Sequence, residues 1–244
     1  MRELINHTKA ILATAWMHFF ASKGELQPLL NDTVKIIPDF LPPSVCNELI
    51  NRIDQIANTD KHPKVWHDTE SSDTRIWGFE SEIEDLLHYF EIGRWIRAVD
   101  DYSGLKTKSW CLMANRLVPK SMNLGSGGGM HRDSPFSHQV KCIWYLNDVG
   151  TENGPFQYLH ATHTNIIRDK SLYPLGKSRY HGTDFAAQEV HGKAGTLIIC
   201  DTKCIHGGKP IEAGSRYAIT LYTFSKKDGV KRTFEKLGLS SDLV

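Results

Sequence analysis

His131 and Asp133 form an HxD pair in the segment GGMHRDSPF. In extended backbone, residues i and i+2 point to the same face, so both side chains can grip one ion. A second histidine, His206, stands in CIHGGKPI, after a strand-like run and ahead of Gly207 and Gly208. Two imidazoles and one carboxylate on one side of a metal leave the opposite positions open. That is the ligand set expected of a non-haem Fe(II) centre that also binds a cosubstrate and O2. An HxD pair alone arises about once by chance in a chain of this composition. Its context gives it weight, with a Gly-rich turn before it and a strand after it. Arg216 follows His206 by ten residues, at the start of the last strand-like run. A turn through KPIEAGS would fold that run back beside His206. It would bring into the same hollow a guanidinium suited to hold a carboxylate in a fork.

The elements that must position these residues fall into two parts. Helical signals lie within residues 1–104. LPPSVCNELINRIDQI opens on Pro42 and Pro43 and lines Val45, Leu49, Ile53 and Ile56 along one face. SEIEDLLHYFEIGRWIRAV carries Ile83, Leu86, Leu87 and Phe90 at helical spacing, with Ser81 as N-cap. Beyond residue 105 the runs KSWCLMANRLV, HQVKCIWYLNDV, GPFQYLHA, GTLIICD and RYAITLYTF alternate with Gly, Asn and Asp clusters. That pattern predicts an antiparallel sandwich or barrel and not βαβ units. We therefore expect one domain over residues 1–244, mainly β with flanking helices (α+β). Helices within 1–104 would pack on one sheet, the β core would span 105–225, and 226–244 would form a tail. The irregular stretch 164–190 reads as a lid insertion. Within it Arg168 and Arg179 are candidates to receive an anionic group of the substrate. HDTESSDTR (67–75) and the basic SKKDGVKRTFEKLG read as solvated surface.

Composition narrows the classes further. Hydrophobic residues make up 40% and charged residues 23% of the 244, which excludes a disordered or collagen-like chain. A net charge of +1, from 29 basic and 28 acidic residues, argues against a general nucleic-acid binder. No apolar run reaches the roughly 18 residues of a membrane span. Five cysteines without a CxxC point to a reducing compartment, and a cytoplasmic location is expected. Met130 stands where a GxGxxG fingerprint needs glycine, and GxSxG, P-loop and HExxH motifs are missing. Dinucleotide-binding, hydrolase, NTPase and zinc-protease readings fall accordingly.

Three segments together resemble the Fe(II)/2-oxoglutarate-dependent dioxygenases, in their phytanoyl-CoA dioxygenase-like branch. They are HRD at 131–133, the block CIWYLNDVGTENGPFQYLHATH, and HGGKPIEAGSRYAITLYTF. The resemblance spans roughly residues 110–225. It implies a double-stranded β-helix (a cupin-like jelly roll), with His131, Asp133 and His206 binding Fe(2+) and Arg216 anchoring the C5 carboxylate of 2-oxoglutarate. Trp144 matches a position that helps form the cosubstrate pocket. The implied activity is hydroxylation of an aliphatic C–H in a small or carrier-linked metabolite, consuming O2 and releasing succinate and CO2. Asp133 favours hydroxylation, because related halogenases carry a small residue there. Two departures stand out. HATH replaces the family's PGSH-like segment. Ala218 sits where Ser or Thr is common, which leaves Thr220, of the same strand parity as Arg216, as a possible second contact. The alternatives are a cupin-like metal-binding isomerase and a non-catalytic jelly-roll ligand-binding protein, neither of which needs Arg216 at that spacing.

Overall fold

The computed structural model describes residues 24–59, 61–68, 72–133, 140–163, 180, 186–240 and 242, and helical positions 8, 11, 12, 15, 16 and 19. The strands are β1 (Val34–Ile37), β2 (Val65–His67), β3 (Asp73–Trp77), β4 (Ser109–Leu117), β5 (Val140–Tyr145), β6 (Phe156–Tyr158), β7 (Gln188–Val190), β8 (Leu197–Asp201), β9 (His206–Gly208) and β10 (Arg216–Phe224). Among the described residues the longer helices are α1 (Pro43–Ala57), α2 (Ile92–Ser103) and α3 (Gly229–Leu237), and a single helical turn spans Leu29–Asp32.

Seven strands form one antiparallel sheet in the order β1-β8-β5-β10-β4-β3-β2, and β7-β6-β9 form a smaller one. The HxD segment extends the smaller sheet, because His131 and His206 exchange both backbone hydrogen bonds at 2.8 Å. From β4 onward the chain passes back and forth between the two sheets, with only β6 and β7 following each other in one of them. This is the antiparallel sandwich that the run pattern predicted, in the double-stranded β-helix form that the resemblance implied.

Strand alternation divides the large sheet into two faces. Cys142, Trp144, Ile219 and Leu221 point outward into a core completed by Val45, Cys46, Leu49 and Ile53 of α1 and Trp95 and Val99 of α2. Each such fully buried side chain contributes about 1.5–3 kcal/mol through removal from water. Lys141, Ile143, Tyr145, Arg216, Ala218, Thr220 and Tyr222 occupy the opposite parity and line a cavity between the sheets.

Three sequence expectations need correction. The helix expected over 81–99 is divided into 3-10 turns, Phe79–Glu82 and Leu87–Phe90, followed by α2. Just past the end of β3, the Glu80 carboxylate accepts the Leu112 backbone N–H at 2.8 Å and pins the first turn to β4. Ser81 donates to the Gly78 carbonyl instead of capping a helix. The segment 67–75, read as solvated, contributes to the β2–β3 hairpin that widens the large sheet. The basic tail forms α3, whose Val230 and Phe234 are buried against Trp77, Cys111 and Met113. All five cysteines are free and buried. Among the described residues no helix is long and apolar enough to cross a membrane.

Candidate metal centre

The two histidines meet because β9 pairs with the HxD segment. Their rings lie 4.4 Å apart between centroids. Each ring is turned by a backbone carbonyl at Nδ1: Gly129 for His131, at 2.8 Å, and Cys204 for His206, at 3.1 Å. With Nδ1–H donating to these carbonyls, Nε2 becomes the lone-pair nitrogen, the tautomer a metal requires. Both Nε2 atoms face Asp133, at 3.7 Å for His131 and 3.9 Å for His206. The three ligand atoms lie within 4.8 Å of one another. Arg132, between the two HxD residues, points the other way. Its Nη1 donates to the carbonyls of Thr162 and Lys203, and its Nε to the Tyr180 hydroxyl. That anchor holds the strand so that positions 131 and 133 share the inner face.

Glycines make room for this arrangement. Gly125 has φ +83°, and a Cβ there would lie 1.9 Å from the Gly208 carbonyl oxygen. The 125–129 loop can therefore rest directly on β9, beside His206. Gly127 is equally constrained, since its Cβ would press on the His131 ring at 2.6 Å.

The electrostatics suit a cation. Burial, joined by repulsion from His131, pushes the His206 pKa down to about 3, so the ring is neutral at pH 7. Burial works to raise the Asp133 pKa. Lys141 and the two imidazoles override it and hold the carboxyl below the usual carboxylate range. Lys141 Nζ sits 2.6 Å from Asp133 Oδ2.

The cavity beside these ligands has a volume of about 350 Å³, within the range of small-molecule sites. Arg216 lines it from the start of β10. It is buried, its Nη1 donates to the Gly154 carbonyl, and its Nε is buried without an acceptor among the described residues. A buried donor left unpaired costs stability unless a ligand supplies the acceptor. The donor set and this guanidinium therefore fit a metal and a carboxylate-bearing cosubstrate side by side.

Thr220 lines the same cavity, two inward positions beyond Arg216. Trp144 does not line it. Its ring points to the helix-side core, 5.0 Å from Phe90 and 6.3 Å from Phe40, and the neighbours of opposite parity, Ile143 and Tyr145, take the cavity face instead. Tyr145 ties the two sheets together, accepting from the Phe156 N–H at 2.8 Å and donating to the Val190 carbonyl at 3.2 Å. Arg168 and Arg179 lie outside the described residues, as does most of the 164–190 stretch. Sequence reasoning missed Arg75, Asn115 and Lys141, all on the cavity wall. Lys141 was detectable: once Cys142 and Trp144 are assigned to the helix-side core, parity turns the lysine inward.

A double-stranded β-helix with a His-Asp-His cluster and a buried Arg at the start of its last strand defines an iron- and 2-oxoglutarate-dependent oxygenase. The sequence model of the phytanoyl-CoA dioxygenase family (PhyH) matches residues 34–217. The chain belongs to that family and is an enzyme of this class, with iron and 2-oxoglutarate as its cofactor and cosubstrate. No curated protein matches the sequence. Among solved structures, it is similar to the α-ketoglutarate-dependent epimerase SnoN of nogalamycin biosynthesis, with 12% identity, TM-score 0.58, and 86% of this chain and 83% of that one covered. HygX from Streptomyces hygroscopicus, solved with nickel and 2-oxoglutarate, shares 13% identity at TM-score 0.58, covering 82% and 85%. A Pseudomonas putida prolyl-4-hydroxylase shares 16% at TM-score 0.57, covering 82% and 97%. At these identities the likeness shows a shared fold.

Proposed function

We propose that the protein hydroxylates an aliphatic C–H bond of a small or carrier-linked metabolite, with release of succinate and CO2. His131, Asp133 and His206 hold Fe(II), and Arg216 holds the C5 carboxylate of 2-oxoglutarate, with Thr220 as part of the cosubstrate wall. The observation that carries this reading is the convergence of three ligand atoms with the unpaired Nε of Arg216 in one cavity. Bound iron and 2-oxoglutarate would activate O2, the oxidant, with 2-oxoglutarate giving up two of the four electrons that O2 takes. The chain's own residues orient and shield. The carbonyls of Gly129 and Cys204 fix the imidazoles, Lys141 fixes the carboxylate, and the apolar faces of Ile143, Phe156 and Met113 limit water. HygX with 2-oxoglutarate bound and a hydroxylase among the similar structures support the assignment. The epimerase SnoN makes the outcome at carbon a matter for experiment.

Anaerobic titration of the metal-free protein with Fe(II) and 2-oxoglutarate, read by the charge-transfer absorption of the complex, tests the site. Arg216→Ala should weaken 2-oxoglutarate binding while sparing metal, and His206→Ala should abolish metal binding. Parent-like titration of both variants overturns the assignment. Succinate release across a metabolite panel then finds a substrate, and its product mass decides the outcome. Gain of one oxygen atom supports hydroxylation, whereas loss of two hydrogens or an unchanged mass points to another reaction.

A further inference from the structure

The cavity wall carries a second guanidinium, on the β2–β3 hairpin. Arg75 points inward from β3, paired in register with Asn115 of β4. Its Nε and Nη2 both donate to Asp73 Oδ2, at 3.0 and 2.6 Å. Asp73 is buried and already receives Ser126 Oγ at 2.6 Å and Asn115 Nδ2 at 2.9 Å. Arg75 therefore shares its counter-ion with two other donors. Among the described residues, its Nη1 has no acceptor. The guanidinium lies 5.2 Å from the Trp66 ring centroid, a contact that fixes its plane. In the same wall Lys141 Nζ sits 4.9 Å from the Tyr222 ring centroid.

Charge counting sharpens the picture. The side chains of Arg75, Lys141 and Arg216 line the cavity, against Asp133 and the adjoining Asp73. A divalent metal and dianionic 2-oxoglutarate cancel each other, so the excess of one cation persists once both are bound. In a half-enclosed site that excess favours an anion far more than it would in water. Arg216 is committed to the cosubstrate and Lys141 to Asp133. Arg75 is the cation left with a donor edge toward the cavity.

We propose that Arg75 binds an anionic group, a carboxylate or phosphate, on the small-molecule substrate. The proposal rests on the oxygenase reading above and deepens it by naming a substrate class. Asp73 and Trp66 pre-orient the guanidinium, and the outer edge takes the ligand oxygen. Met113 and Tyr222 face the apolar part of the same molecule.

The test loads the protein with Fe(II) and 2-oxoglutarate anaerobically, so that Arg216 is occupied, and checks the absorption band first. Failure at that step sinks the oxygenase reading. With the band present, calorimetry compares phenylacetate and phenyl phosphate with neutral phenylacetamide. The expected result is an anion preference of about tenfold or more. The tighter of the two anions identifies carboxylate or phosphate as the natural group. Arg75→Gln should erase the preference. Asp73→Asn should strengthen anion binding by removing the competing carboxylate, an effect a purely structural ion pair would not produce. Equal binding of charged and neutral ligands, or no binding of any, overturns the proposal and leaves the oxygenase reading standing. If Arg75→Gln does not fold, Asp73→Asn decides, and unchanged anion affinity there overturns it.

Discussion

Lys141 Nζ lies 2.6 Å from Asp133 Oδ2, so the carboxylate offered to a metal is already held by a cation. The pair is about three-quarters or more buried on both sides. In the metal-free protein Lys141 neutralises a charge that burial would otherwise penalise. Beside a bound metal the same ammonium is repulsive.

Lys141→Met should therefore destabilise the metal-free protein by about 2 kcal/mol and tighten divalent metal binding. Thermal denaturation with and without Ni(II) checks this. The metal-induced gain in Tm should be larger in the variant than in the parent, and a smaller gain would contradict the account.

Acid should destabilise the metal-free protein well before ordinary carboxylates titrate. The His206 pKa, about 3 when folded, lies below its usual 6.5. Between those values the unfolded chain binds the proton and the folded one does not, so stability falls as pH drops through that window. Asp133 adds to the loss only below the normal carboxylate range. From pH 7 to pH 5 the His206 contribution is on the order of 2 kcal/mol. Urea denaturation at both pH values should show a smaller difference in His206→Gln.

Gly125→Ala should cost about 3 kcal/mol, since strained backbone and overpacking combine there. The added methyl meets the Gly208 carbonyl and lifts the 125–129 loop from β9. Denaturation midpoints and Ni(II) affinity should fall together, because Gly129 in that loop orients His131. Parent-like metal affinity in a destabilised variant would separate the loop from the site.

Trp144→Leu should lower stability by about 2–4 kcal/mol through lost core packing while leaving 2-oxoglutarate affinity unchanged. Tyr145→Phe strands the buried Phe156 N–H and should cost about 1–3 kcal/mol. Equilibrium binding of 2-oxoglutarate to each folded variant distinguishes cavity from core. A large loss in Trp144→Leu would return that residue to the cosubstrate wall.

Much of this was legible in the chain itself. HxD at 131–133, His206 before two glycines, and Arg216 ten residues on are local patterns whose chemistry follows from residue type and strand parity. The apolar face of α1 and the alternating runs beyond residue 105 likewise declare themselves, because period and turn residues are local properties. What only the tertiary structure decided depends on which strand lies beside which. The β2–β3 hairpin joins the sheet through pairing with β4, and that turns a segment resembling a polar loop into the wall carrying Arg75. Trp144 and Lys141 differ by an odd number of residues, so one sheet face had to be identified before either could be placed. Folding sets that face by burying Cys142, Trp144, Ile219 and Leu221 against the helices. The charged residues of opposite parity are then left to meet the metal and its ligands.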